Sequence, residues 1–240
     1  MRSGGVSAWL ALALASLALS CASASSAAKV QKTQKAPTTA QASKPPVPPM
    51  HMSPQAAQVT NWVIASGDNG SLPFMVIDKV AAAVFVFDGQ GQRLGATPAL
   101  VGITPGDDSS PGVGDRELSD IAPEERTTPA GRFVSRFGTA AGNRKVLWVD
   151  YVTSISLHAV ITTNKRERRL QRLNSPTPED NRITFGCINV PARFYAKVVV
   201  PNFKQGIGVV YILPEIRTLR EVFPAYLAQS QPDPHSEVAR

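Results

Sequence analysis

Residues 73–101 read PFMVIDKVAAAVFVFDGQGQRLGATPALV. Segments 74–78, 82–87 and 93–101 carry the β-branched and aromatic side chains that suit a pleated, half-buried surface. Between the last two, Asp88-Gly89-Gln90-Gly91 supplies hairpin turn chemistry. Further strand-like runs recur at 131–137, 146–152, 155–161 and 206–213. Helical signals are fewer. Ser53 is a good cap and Pro54 a good first residue for a short helix to about Ser66, which Gly67-Asp68-Asn69-Gly70 ends. Residues 165–173 and 192–199, the latter led by Pro191, are the other helical candidates. Many strands with few short helices predict a mainly β fold, a sandwich or partial barrel of mixed strands.

The flanking segments read differently. Arg2 precedes an uncharged apolar run, Ala8 to Leu19, followed by the small residues Ser20-Cys21-Ala22-Ser23-Ala24. That order is the order of a secretory signal peptide, here residues 1–24, and the run is short for a membrane-spanning helix. Leu17-Ala18-Leu19-Ser20-Cys21 is an imperfect lipoprotein box, so two fates stay open: lipidation at Cys21, which alone would give a membrane tether, or cleavage near Ala24. The expected location is the periplasm or cell envelope. Residues 25–52 are rich in Ala, Ser, Thr, Gln, Lys and Pro, a composition that builds no core and reads as a spacer. The domain boundaries that follow are 53–72 for a helix and lead-in, 73–214 for the main domain, and 215–240 for a C-terminal helix and tail.

The formal charge of +7 is concentrated before the domain. Arg2, Lys29, Lys32, Lys35 and Lys44 precede the first acid, Asp68, and leave 20 basic and 18 acidic side chains from residue 54 onward. A nearly balanced domain argues against nucleic acid as partner. No Gly-rich phosphate loop of nucleotide-binding spacing occurs, so no nucleotide is expected.

The chemistry concentrates in Ile183-Thr184-Phe185-Gly186-Cys187-Ile188-Asn189-Val190-Pro191. The chain has two cysteines, and with Cys21 in the leader, Cys187 stands alone in an oxidising compartment, a candidate reactive thiol. Gly186 permits a sharp turn and close substrate approach. A helix start nearby would favour thiolate over thiol, and the turn amides can face a developing oxyanion. A cysteine nucleophile needs a base. Of three histidines, His51 lies in the spacer and His235 in the tail, which leaves His158, near the end of a strand. With only His158 and Cys187 as such ligands in the domain, the usual zinc sets are missing, and neither metal nor cofactor is expected.

These residues resemble the YkuD-like L,D-transpeptidase catalytic domain. That family carries a strand-end histidine, a Ser/Thr-His-Gly-Cys-x-Arg/Asn block and an upstream Thr-Pro-x-Gly-x-Phe turn. The matches are His158, then Thr184, Gly186, Cys187 and Asn189, with Thr128-Pro129-Ala130-Gly131-Arg132-Phe133 upstream. The resemblance covers about residues 73 to 214. It implies a cysteine acyltransferase acting on peptidoglycan stem peptides: Cys187 as nucleophile, His158 as base, amides of Gly186 and Cys187 at the oxyanion, and Thr184 and Asn189 in support. The acceptor is an amine, giving a crosslink, or water, giving a carboxypeptidase.

Three departures point to a divergent subgroup. Phe185 stands where most members have a second histidine, which raises a third reading, an inactive wall-binding module. The segment between His158 and Cys187 is long and basic, either a solvated helix or a lid holding a stem-peptide carboxylate. Arg168 and Arg169, with Arg182, are its candidate substrate contacts. The stretch 103–128 is long for a connection and reads as an insertion beside the catalytic turn.

Overall fold

The computed structural model describes residues 50–204 and 206–226. The signal segment, Cys21, the spacer up to Pro49, and the tail with His235 lie outside the described residues. The last spacer residues are within them, and Met50 and Met52 pack against the core.

The fold is mainly β, an eight-stranded mixed sheet with a few short helices. Its strands are β1 (Phe74–Asp78), β2 (Ala83–Phe87), β3 (Arg93–Pro98), β5 (Gly131–Ala140), β6 (Arg144–Asp150), β7 (Ile155–Ala159), β9 (Ile188–Val190) and β10 (Ile207–Ile212). A two-stranded parallel ladder of β4 (Val101–Gly102) and β8 (Arg182–Thr184) lies apart from it. The order in the large sheet is β3-β2-β1-β10-β5-β6-β7-β9. Its two edges meet. Just past β3, the Leu100 amide donates to the Asn189 carbonyl at 2.8 Å, and the Asn189 amide returns a bond to Leu100 at 2.9 Å. That bridge nearly closes the sheet into a barrel.

The central strands β1, β2 and β10 are buried on both faces, and their alternate residues divide between two cores. Met75, Ile77, Val84, Val86, Val210 and Ile212 point into the curled sheet with Leu157, Ile188 and Val190. Phe74, Val76, Phe85, Phe87, Val209 and Tyr211 point outward, under Val59, Trp62 and Val63 of α1 (Pro54–Ser66). Helix α1 begins as its sequence predicts. The Ser53 hydroxyl accepts from the Ala56 amide, and Gly67 closes the helix in the left-handed region at φ 66°. The hairpin after β2 is likewise local chemistry: the Asp88 carboxylate accepts from the amides of Gln90 and Gln92 at 3.0 and 2.8 Å.

Three expectations need correction. Residues 165–173 do not form one helix: a 3-10 turn (Lys165–Glu167) breaks at Arg168, φ 51°, before α2 (Arg169–Leu173). The helix after the cysteine does not start beside it. Strand β9 comes first, and the helical run begins with α3 (Ala192–Phe194), continuing through Tyr195–Val199 in π geometry and Val200–Phe203. Pro201 explains the π turn, because it has no amide to donate and its ring crowds the carbonyl four residues back. The 103–128 stretch is not structureless but holds three 3-10 turns, Val113–Asp115, Leu118–Asp120 and Pro123–Glu125.

Candidate functional site

Strands β7 and β9 run parallel and adjacent, with Leu157 opposite Ile188 and His158 opposite Asn189. Side chains alternate between faces along each strand. Leu157 and Ile188 therefore enter the core, while Ser156, His158, Cys187 and Asn189 share the other face. Cys187 precedes β9 by one residue, so it sits diagonally from His158, at roughly 8 Å between Cα atoms from strand spacing and rise. Both residues line one cleft of about 490 Å³, a volume in the range of small-ligand sites.

Cys187 is a free, partly exposed thiol. Its Sγ lies 3.5 Å from Ser156 Oγ and 3.7 Å from the Ser154 carbonyl. Among the described residues no hydrogen bond joins it to His158. The imidazole is instead held at both nitrogens. Nδ1 lies 2.8 Å from the Ala159 carbonyl and Nε2 lies 3.1 Å from Asn189 Nδ2. A carbonyl accepts only and an amide nitrogen donates only, so Nδ1 carries the proton and Nε2 the lone pair. Burial pushes the His158 pKa below its ordinary value of 6.5, and the nearby cations Arg144 and Arg169 push the same way, against the Ala159 bond. The ring is thus a neutral base at pH 7.

The turn that presents Cys187 is pinned from within. Thr184 Oγ1 donates to the Cys187 carbonyl at 2.7 Å and accepts from the Gly186 amide at 3.2 Å. With that amide engaged, the Cys187 amide is the remaining one of the two expected to face an oxyanion. Thr128, from the Thr-Pro-x-Gly turn, donates to the Gly186 carbonyl at 2.7 Å and accepts from the Gly102 amide at 2.8 Å. Gly186 itself has φ 121°, and an added Cβ would lie 2.7 Å from the Thr127 carbonyl oxygen. Glycine is therefore required there. The helical run that begins at Ala192 is separated from Cys187 by β9.

The predicted arginines divide. Arg169 Nη1 donates to Asn189 Oδ1 at 2.7 Å, joining the site from behind, while Nε pairs with Glu167. Arg168 is exposed and lines a different depression. Arg182 pairs with Glu215 and does not line the cleft. The cleft's cations are Arg116, Arg144 and Lys145, which the sequence reading missed, and no Asp or Glu lines it. Arg116 is bound bidentately by Glu125 at 2.9 and 2.8 Å. Nothing local marks these residues in the sequence, because loop and strand β6 meet only in the fold. The 103–128 loop supplies one wall through Val113, Leu118 and Ile121. It is joined to the cysteine block where the Arg126 guanidinium lies 3.9 Å above the Phe185 ring. Among the described residues, no group of three or more His, Cys, Asp or Glu is placed to hold a metal ion.

No family model matches this sequence, and no curated protein matches it. Several solved structures are similar to it. The catalytic domain of an L,D-transpeptidase from E. faecium aligns over 60% of this chain and 98% of its own, at 14% identity and a TM-score of 0.34. An L,D-transpeptidase from Mycobacterium smegmatis aligns over 59% of this chain and 58% of its own, at 14% identity and a TM-score of 0.35. The helical cell shape determining protein Pgp2 from Campylobacter jejuni aligns over 69% of this chain and 58% of its own, at 10% identity and a TM-score of 0.40. Scores this low assign neither a family nor an activity.

Proposed function

We propose that this chain is an exported cysteine acyltransferase that acts on peptidoglycan stem peptides, an L,D-transpeptidase. The observation that carries the proposal is the placement of one free thiol and one neutral imidazole on the same face of adjacent strands, open to one cleft. The motif resemblance through Thr184, Gly186, Cys187 and Asn189 supplies the substrate class. A cleft lined by cations and no carboxylate suits an acidic peptide.

In this mechanism the Cys187 sulfur leaves Ser156 and meets His158 Nε2, whose lone pair is released by the Asn189 amide and takes the proton from the thiol. The sulfur adds to the carbonyl carbon of the scissile peptide bond, and the Cys187 amide donates to the oxyanion. Collapse breaks the C–N bond. The leaving amine takes the proton from Nε2, and a thioester remains. An amine acceptor, deprotonated by the same nitrogen, attacks the thioester and restores the thiol. With water as acceptor the same steps give a carboxypeptidase.

Incubation of the protein with disaccharide-tetrapeptide should release the terminal residue and give crosslinked dimers, or tripeptide if water is the acceptor. Cys187→Ala should abolish both. Product formation that survives this substitution excludes the mechanism. One observation favours a second reading, a non-enzymatic wall-binding module: Nε2 is satisfied by Asn189 and the sulfur by Ser156. That reading predicts no product, with retention on purified peptidoglycan.

A further inference from the structure

We propose that Arg169 is a positioning residue that selects the tautomer of His158 through the side-chain amide of Asn189. The proposal deepens the acyl-transfer reading and concerns a residue first expected to touch substrate.

The argument is a count of donors and acceptors. A guanidinium has donors only. At 2.7 Å from Arg169 Nη1, the Asn189 group must be its oxygen. The amide nitrogen then faces His158 Nε2 and demands a lone pair there. The ring's other nitrogen faces the Ala159 carbonyl and demands a proton. Only the neutral Nδ1–H imidazole satisfies both. Were Asn189 turned over, its oxygen would face Nε2 and demand a second proton, and the ring that fits would be the imidazolium. Arg169 prevents that turn. Asn189 is 1% exposed, so water has little room to replace the arginine as donor.

The remaining groups do not fix the amide. Arg116, Arg144, Lys145, Cys187 and Tyr195 line the same cleft as His158, but the structure pairs none of them with Asn189. Arg169 is itself held by Glu167 on the preceding 3-10 turn. The inserted segment between His158 and Cys187 thus works behind the site, orienting the base.

The test is a nitrogen-15 NMR titration of imidazole tautomers in the full chain, with His158 assigned through H158Q. Wild type should show the Nδ1–H tautomer and titrate below 6.5. Arg169→Met should raise the His158 midpoint by about one unit, from the amide turn and the lost cation together. Arg169→Lys keeps a donor-only cation and should stay near wild type. Asn189→Asp, which cannot donate to Nε2, should hold His158 protonated above 6.5 and guards against a misfolded Met variant. If Arg169→Met lowers the melting temperature while tautomer and midpoint stay put, its role is packing and the proposal fails. The titration needs no substrate. A shifted midpoint in a protein that makes no product keeps this proposal and overturns the acyl-transfer reading.

Discussion

Two polar clusters in this molecule are built from similar parts to opposite ends. In the first, Lys79 Nζ donates to Asp107 Oδ1 at 2.9 Å and to the Thr128 carbonyl at 3.0 Å, and Glu215 lies 3.5 Å away. Asp107 also accepts from the amides of Glu215, Ile216 and Arg217. Lys79 and Asp107 are 1% and 2% exposed, and opposite charges are in contact. In the second, Arg169, Asn189 and His158 form a chain that ends at a cleft, and its titratable member is neutral beside cations. Complete pairing locks the first cluster into the fold. The second sets a half-buried imidazole at the wall of a cleft, with a single amide on its basic lone pair. The difference between them lies in how many groups remain exchangeable, since both are rich in hydrogen bonds.

The largest expected effect breaks the first cluster. Asp107→Ala leaves a buried ammonium short of its nearest carboxylate and three amides without an acceptor. The cost should be about 3–5 kcal/mol, or a fall in melting temperature of roughly 10 °C for a domain of this size. Thermal unfolding followed by circular dichroism measures it. Below the transition any change in the alkylation rate of Cys187 should be small, because Lys79 keeps its bond to the Thr128 carbonyl, the link by which the first cluster reaches the cysteine turn. A loss of thiol reactivity in the folded variant would show that the two are coupled.

Acid tests the same contrast without mutation. The amides of Arg217, Glu215 and Ile216 and the Lys79 ammonium hold the Asp107 carboxyl at about 2, against its burial and below the ordinary 3.8. The unfolded chain binds the proton more readily, so this stabilisation is present above pH 3.8 and is lost as pH falls toward 2. It amounts to about 2 kcal/mol. His158 acts in the same direction at a higher pH. Its folded pKa lies below 6.5, so its contribution is present above 6.5 and declines as pH falls through the folded value. Urea midpoints across pH 2–7 should therefore fall in two steps, and H158Q should remove only the upper one.

A smaller loss is expected where the two clusters' neighbourhoods meet, at the cysteine turn. Thr184→Val removes a donor to the Cys187 carbonyl and an acceptor for the Gly186 amide. Both are buried, so the cost should be about 1–3 kcal/mol. Alkylation of Cys187 by iodoacetamide should change rate, since the turn no longer fixes the sulfur. An unchanged rate would mean that Thr128 alone holds the turn.

How much of this was legible in the sequence depends on how local each cause is. Strands β1 and β2 announce themselves by Val, Ile and Phe, and α1 by Ser53, Pro54 and Gly67, because those signals act within a few residues. Cys187 and His158 stand out because their types are scarce. Strands β8 and β9 were missed. Each is three residues long, and β9 is stabilised by Leu157 and Leu100, about 31 and 89 positions away in the chain. Arg169 reads in the sequence as a candidate substrate contact, but its place depends on which end of an amide it meets, and only packing sets that. The cleft's Arg144 and Lys145 read as ordinary strand-edge charges until the 103–128 loop folds over beside them.

The smallest effect concerns Phe185, where the resemblance expects a second histidine. Its ring packs under the Arg126 guanidinium, and Arg126 also donates to the Ile121 carbonyl at 3.0 and 2.8 Å. The ring therefore anchors the end of the loop that walls the cleft, a task an uncharged aromatic performs well. A cation above an aromatic face at a partly exposed site contributes about 0.5–1 kcal/mol. Phe185→Leu keeps the apolar volume but not the face, and should cost that much in urea unfolding. It should also free Arg126, so limited trypsin digestion should cut after this residue faster than in wild type. If stability and cleavage both stay at wild-type values, the contact does not hold the loop, and the Ile121 carbonyl with the backbone bonds of Arg126 to Pro123 and Thr104 accounts for its position.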